Sequence, residues 1–292
     1  MLLPIAPTPS VLCPRTLDEA LAIRADTAAT PIAGGTAVLV EMNAGHEPDA
    51  LLDLSRVAEL RTSEIGRERV RLGAAVTYSE IMDRFARPLP GLAAAARTIA
   101  GRQVRNRATL GGALALGDPS SDILAALVAA EASVEVCSRG RGTRQLPADE
   151  FVLAPGATAL SADELIVGFD VPVTDGPVEY AKVGARNAMA RAVCGVALAL
   201  HATARTATVA VVGAGPRAVR ARAAEELIAA EAPWGDLQPL DPAWLDEVAT
   251  EVAAAVPGFA DQRGSAAYRR HLAGILGRRT LLRAWSRLGQ GA

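Results

Sequence analysis

Two glycine pairs constrain this chain more than any other feature. The second is Thr109-Leu110-Gly111-Gly112-Ala113, followed by Gly117-Asp118-Pro119-Ser120-Ser121-Asp122. Adjacent glycines let a backbone turn tightly and bring its N–H groups against a ligand. The Asp-Pro-Ser-Ser-Asp run leads into Ile123-Leu124-Ala125-Ala126-Leu127, which reads as a buried helix. Asp118 or Ser120 is placed to cap that helix, which leaves Asp122 in its first turn. Amides that cradle an anion, with a carboxylate nearby to accept from ligand hydroxyls, suit a phosphorylated cofactor. By itself the segment is also simply a glycine turn before a capped helix. The first pair, in Pro31-Ile32-Ala33-Gly34-Gly35-Thr36-Ala37-Val38, repeats the pattern of apolar run, paired glycines and hydroxyl. Two such loops predict one pyrophosphate gripped from two sides through backbone amides.

Composition narrows the classes. A chain of 292 residues, half of them hydrophobic, suits two or three packed subdomains. A net charge of −2 and an aromatic content of 3% argue against nucleic-acid binding. Cys13, Cys137 and Cys194 are far apart and form no Cys-x-x-Cys pair, so neither zinc nor an iron–sulfur cluster is expected in this chain. Reduced, mostly buried thiols fit a cytoplasmic protein. Met1 to Pro14 lacks the basic start of a signal peptide, and no apolar run reaches membrane-span length. His46, His201 and His271 sit in no triad or metal pattern.

In chain order, Pro4 to Pro14 reads as extended. Thr16 and Glu19 form a capping-box pattern at a helix start. Ile32-Ala33 and Leu51 to Leu54 read as strands around a helix starting within Ala37 to Met42, a small βαβ-like unit. Val70 to Ala74 is a strand, a helix follows Thr77, and Leu92 to Ala100 is helical. Arg102, Arg105 and Arg107, with Arg97 before them, read for the most part as a solvated basic face. Strands are expected at Ser133–Ser138, Leu165–Pro172, Val193–Ala202 and Thr206–Val212. Helices are expected at Ile123–Glu131, Arg217–Ala230 and Trp244–Ala255, with a basic terminal helix through Arg287. The turn formers of Val173 to Pro177 mark a boundary. Lys182 is the only lysine in a chain whose other side-chain cations are all arginine. A position that keeps a compact ammonium is one where a planar guanidinium does not serve.

These stretches together resemble the FAD-binding medium subunit of the molybdenum hydroxylases, the group of xanthine dehydrogenase and aerobic carbon monoxide dehydrogenase. The family carries an A-G-G-T/H loop near its N-terminus, here Ala33 to Thr36. A T/S-I/V-G-G-N loop and a D-P-x-x-D segment follow, here Thr109 to Ala113 and Asp118 to Asp122. Gln103, Val104 and Arg105 match the family's lead-in to the second loop. Tyr180-Ala181-Lys182 matches its Y/F-x-K, and Arg263 to Arg269 its terminal R-G-x-x-x-Y-R. The chain departs at Ala113, where the family usually has Asn or Ser, so one side-chain hydrogen bond is lost there.

The resemblance covers essentially the whole chain and implies an α+β protein. It would comprise a two-subdomain FAD-binding fold (PCMH-type), residues 1–58 and 59–174, and a C-terminal α+β domain of the CO dehydrogenase flavoprotein type, residues 175–292. It implies FAD held by residues 31–38 and 109–113 with Asp118 and Asp122. Asp122 would accept from ribityl or ribose hydroxyls, and Ile99 and Ile166 fall where the family packs apolar residues on the flavin. Lys182 would bind beside the isoalloxazine and take the one catalytic role, stabilising the reduced ring. The implied partners are a large molybdopterin-binding subunit and a small subunit with two [2Fe–2S] clusters, in a duplicated heterotrimer. FAD would pass electrons from the nearer cluster to NAD⁺, a quinone or dioxygen.

Three other readings stand beside this one. A self-contained flavin oxidase of the same fold would carry its own substrate domain, for which no base is recognisable. A scaffold that has lost its cofactor is permitted by Ala113. The third rests on Val212-Gly213-Ala214-Gly215-Pro216, which has the strand–Gly-x-Gly form of a dinucleotide fingerprint. Pro216 stands where an N–H should face phosphate, and fewer than eighty residues remain for such a domain. A tight strand-to-helix connection is the expected alternative there.

Overall fold

The computed structural model describes residues 9–291. The part of the expected Pro4–Pro14 extended stretch before residue 9 lies outside the described residues. Three parallel strands, Ser10–Leu12, Ala50–Asp53 and Thr30–Ile32, form the first sheet, with Ala50–Asp53 in the middle. Parallel neighbours require crossovers, here the helices Leu17–Asp26 and Val38–Asn43. Thr16 caps the first, accepting from Glu19 N at 3.2 Å. The expected box is not reciprocal, because the Glu19 carboxylate turns to the Arg15 N–H instead. Both halves of a capping box do close at Thr77 and Glu80, which start the helix Tyr78–Arg84.

The second sheet has five antiparallel strands in the order Ser63–Ile65, Arg69–Gly73, Leu165–Pro172, Ser133–Ser138, Gly142–Pro147. The third is an antiparallel meander of Val178–Gly184, Ala192–His201, Thr206–Val212 and Val219–Arg220. Both faces of the third sheet are covered. Tyr180, Ala197, Ala210 and Val212 point into the core shared with the second sheet. Val196, Leu198, Val209 and Val211 point into a second core under the helices Arg222–Glu231, Pro242–Ala254 and Ala266–Gly291. Burial on both faces explains why Ala192–His201 is an unbroken apolar run rather than an alternating one.

Between the second and third sheets lies the helix Asp122–Ala129, all eight residues of which are buried. An apolar circumference suits a helix enclosed on every side. Its cap is Ser121, which accepts from Leu124 N at 3.3 Å, rather than the expected Asp118 or Ser120. Asp118 instead folds the preceding turn, taking the N–H of Ser120 at 2.8 Å and its hydroxyl at 2.7 Å.

Several expected boundaries move. The helix expected over Leu92–Ala100 spans Pro90–Arg97, and Ala100 lies beyond it in the left-handed region. The second glycine pair is not a loop: Gly111 and Gly112 lie in the first turn of the short helix Leu110–Ala115, capped by Thr109. Cys13 is exposed, whereas Cys137 and Cys194 are buried; burial pushes the Cys194 thiol up to about 12 despite the nearby Arg269 charge. The Gly-x-Gly segment leads into the strand Val219–Arg220, antiparallel to Thr206–Val212, and the next helix starts at Arg222 rather than Arg217. A dinucleotide fold needs parallel strands at that turn, so the nicotinamide reading and the tight strand-to-helix connection both fail.

Gly213 does different work. At φ 75° it turns its N–H onto the carbonyl of Pro119, 2.9 Å away, and so hooks the third sheet to the Asp118–Asp122 segment. Its own carbonyl accepts from Arg269, which is fully buried, donates to Val193 O at 2.7 Å and pairs with Asp261. The terminal helix is therefore less free in charge than its sequence implies. Arg278 pairs with Asp246, and Arg283 and Arg287 both reach Glu179.

Glu164 gives a measurable handle on the second sheet's edge. Its carboxylate accepts from Arg144 through both oxygens at 2.7 Å and from Ser161 N at 2.7 Å. The Arg144 hydrogen bonds, against the opposing effect of burial, hold it at about 2 instead of 4.5. A carboxylate depressed in the folded state contributes stability above its unfolded value and loses it as pH falls. Denaturant titrations should show stability declining between pH 4.5 and about 2. Glu164→Gln should flatten that part of the profile and lower stability at pH 7.

Candidate functional site

The first glycine segment leaves the parallel strand Thr30–Ile32 and enters the helix Val38–Asn43. Among the described residues, the backbone N–H groups of Gly34, Gly35, Thr36 and Ala37 meet no acceptor. Gly35 sits at φ 76°. A Cβ on Gly34 would lie 1.9 Å from the carbonyl oxygen of Arg107, so only glycine lets this loop close on the lead-in to the second segment. Gly34 of the first segment and Thr109 of the second thereby line one cleft of about 240 Å³, together with Ala33, Arg61, Thr77, Asn106 and Arg107.

The two segments are not equivalent. The N–H groups of Leu110 and Gly111 donate to the carbonyls of Val76 and Ala74, and those of Gly112 and Ala113 to the side chain and carbonyl of Thr109. The expectation that amides of both segments face an anion is therefore corrected: only the first has them available. Gly111 is glycine because of Ala74, whose Cβ and carbonyl oxygen lie 2.9 and 3.0 Å from the position of an added Cβ. The same Ala74 donates its N–H to Val167 O at 3.2 Å, which brings Ile166 alongside. Ala113 is half-buried against the core and offers no side-chain donor or acceptor.

The polar centre of the site is Asp122. Its Oδ1 accepts from the Tyr180 hydroxyl at 2.5 Å; its Oδ2 accepts from the Thr98 hydroxyl at 3.1 Å and pairs with the Lys182 ammonium. Lys182 also donates to Thr98 O at 3.2 Å and Ala190 O at 3.0 Å, so every hydrogen of its ammonium is engaged. Burial, then the Asp122 charge and hydrogen bond, pushes the Tyr180 phenol well above its ordinary value. Burial and the charges of Asp122 and Asp118 push Tyr78 up likewise. Tyr180 is thus a fixed donor. A carboxylate accepts about four hydrogen bonds. Tyr180, Lys182 and Thr98 lie within reach of Asp122, the single Thr98 hydrogen being shared with Ala95 O at 2.8 Å, so lone-pair capacity remains on Oδ1.

The structure therefore brings Asp122 and Lys182 into direct contact, with Ile99 next in the chain to Thr98. Asp118 lies at the rim, 3.6 Å from the exposed Arg191 guanidinium. Of the expected cofactor-binding residues Ala33, Gly34 and Thr109 line the cleft; the rest of residues 31–38 and 109–113, with Ile99, Asp118, Asp122, Ile166 and Lys182, do not. Sequence reasoning gave no role to Thr98 or Tyr180. Tyr180 was findable: two residues before Lys182 on a strand, it must share that residue's face. Thr98 carried no such signal. Among the described residues no group of His, Cys, Asp or Glu could hold a metal ion, and no helix is long and apolar enough to cross a membrane.

An amide run with no acceptor among the described residues and, on a separate element, a buried carboxylate suit a ligand carrying both phosphate and hydroxyls. Residues 7–174 match the FAD binding domain in molybdopterin dehydrogenase, and residues 179–284 match the CO dehydrogenase flavoprotein C-terminal domain. The nicotine 6-hydroxylase medium subunit of Paenarthrobacter nicotinovorans is 35% identical over 88% of this chain and 89% of its own. The carbon monoxide dehydrogenase medium chain of Hydrogenophaga pseudoflava is 30% identical over 94% and 96%. The solved carbon monoxide dehydrogenase from Hydrogenophaga pseudoflava superposes with a TM-score of 0.88 at 31% identity, over 97% of this chain and 99% of that one. By sequence and by fold, the chain belongs to the FAD-binding medium subunits of the molybdenum hydroxylases.

Proposed function

We propose that this chain holds FAD between its glycine segments and serves as the electron-transfer subunit of a molybdenum-containing hydroxylase. The observation that carries the reading is the run of amides from Gly34 to Ala37 that meet no acceptor among the described residues, with Gly34 lining the cleft. These amides take the diphosphate, on a turn set by Pro31, Ile32 and Ala33 and continued by Thr36, Ala37 and Val38. Thr109, Leu110, Gly111, Gly112 and Ala113 form the opposing wall. Asp122 uses the remaining capacity of Oδ1 for a ribityl or ribose hydroxyl, with Asp118 at the rim. Ile99 and Ile166 border the isoalloxazine, and Lys182 supplies positive charge near it. Bound FAD supplies the exchange between one-electron carriers and a two-electron acceptor.

The partners in this reading are a large molybdopterin-binding subunit and a small [2Fe–2S] subunit, assembled as a duplicated heterotrimer in the cytoplasm. The acceptor is NAD⁺, a quinone or dioxygen. Relatives named as medium chains of carbon monoxide dehydrogenase and nicotine 6-hydroxylase support the assembly. Co-purification from the native host checks it; a lone chain with full turnover would sink it. The purified chain should show flavin absorbance that is released on denaturation, with about one FAD per chain. A chain that takes up no FAD when supplied with it removes the reading and leaves a scaffold.

The ion pair changes what substitutions at Asp122 report. Asp122→Asn leaves the Lys182 ammonium buried without its counter-charge, a loss of about 3–5 kcal/mol. FAD affinity and melting temperature should therefore fall together, which differential scanning calorimetry and flavin titration would register. Lys182→Met leaves Asp122 with two neutral donors. Because Asp122 then stands buried without its counter-charge, the melting temperature should fall as for Asp122→Asn; the flavin reduction potential should fall as well, and Lys182→Arg should restore both only in part. An unchanged potential by spectroelectrochemistry, at unchanged FAD occupancy, would remove Lys182 from the redox role.

A further inference from the structure

Just past the helix Pro90–Arg97, three successive carbonyls meet two cations. Lys182 Nζ donates to Thr98 O at 3.2 Å. One terminal nitrogen of Arg105 donates to Ile99 O at 2.8 Å and to Ala100 O at 2.6 Å. Ala100 sits at φ 42°, a left-handed conformation that costs a residue with a Cβ roughly 1 kcal/mol or more. Such a conformation persists only where the surroundings over-determine it. Here the Arg105 guanidinium does so, while its backbone N–H closes the first turn of the helix Arg102–Arg105 on Gly101 O at 3.1 Å. Among the described residues Arg105 has no carboxylate partner, and it is half-buried rather than on a solvated face. Its charge is directed wholly at this turn.

We infer that Arg105 is a positioning residue for the flavin. It does not touch the cofactor. It holds Ala100 left-handed and thereby fixes the direction in which Ile99 presents its side chain. It also anchors the lead-in whose Arg107 carbonyl meets Gly34. The inference rests on the proposed placement of Ile99 beside the isoalloxazine. Lys182 holds the first carbonyl of the turn and Arg105 the next two, so the wall beside the ring is clamped from both domains.

The test uses the FAD-loaded chain in wild-type, Arg105→Met, Arg105→Lys and Arg105→Met/Ala100→Gly forms. Each is measured by visible circular dichroism of the flavin bands, FAD affinity and melting temperature. Arg105→Met should alter the flavin circular dichroism and weaken FAD binding by about tenfold. Arg105→Lys should keep part of the wild-type signal, because an ammonium can still reach a carbonyl. Adding Ala100→Gly to Arg105→Met should return the spectrum and affinity toward wild type, since glycine takes a positive φ without strain. A purely structural arginine predicts otherwise: a lower melting temperature with unchanged flavin spectrum and affinity. That result, or a double variant no better than Arg105→Met, overturns the inference. A wild-type chain that takes up no FAD overturns the functional reading itself, and this inference with it.

Discussion

The molecule depends on a carboxylate held inside it. Asp122 stands at the N-terminus of a helix that is buried on all sides, between two sheets, in a place where an unpaired charge would be costly. The third sheet answers it with Tyr180 and Lys182, which share one face of the strand Val178–Gly184. The contact that satisfies the helix also docks the C-terminal domain. The helix N-terminus adds its own preference for negative charge at that point. Stability and ligand chemistry meet in one side chain.

Close backbone approach is the second constraint. Gly34 lets the first loop press on the Arg107 carbonyl, and Gly111 lets the helix Leu110–Ala115 press on Ala74. They are required by the protein around them, which draws the loop, the lead-in and the strand Arg69–Gly73 together; four amides of the first loop meet no acceptor among the described residues. A further connection runs from the far side of the molecule. Arg269, wholly buried, holds Gly213, and Gly213 holds Pro119 at the start of the segment that ends in Asp122. Residues far apart in the chain thus bear on one turn.

The site has a binder's character and lacks an acid–base pair poised on a substrate. Its Tyr180 phenol is held as a donor, and its ammonium has its three hydrogens taken by one carboxylate and two carbonyls. That economy suits a subunit whose cofactor carries the chemistry and whose own task is placement.

Much of this was legible in the sequence. Period-two and apolar patterns located the strands Ser133–Ser138, Leu165–Pro172 and Thr206–Val212 at the bounds the structure has. Caps at Thr16 and Thr77 were readable because capping is local chemistry. The Asp-Pro-Ser-Ser-Asp run and the solitary Lys182 marked two residues, Asp122 and Lys182, that the fold brings into contact. What the sequence left open is whatever depends on partners distant along the chain. A glycine pair reads the same whether its amides face a ligand or a neighbouring strand, and only the fold showed that the second pair's are taken by Ala74, Val76 and Thr109. Asp122 and Lys182 each looked like a ligand to the cofactor, yet sixty residues of chain fold back to make them ligands to each other. Local pattern determines elements because it is set by neighbours in sequence. Pairing of buried charges and closeness of backbones are set by neighbours in space, and those exist only once the three sheets have come together.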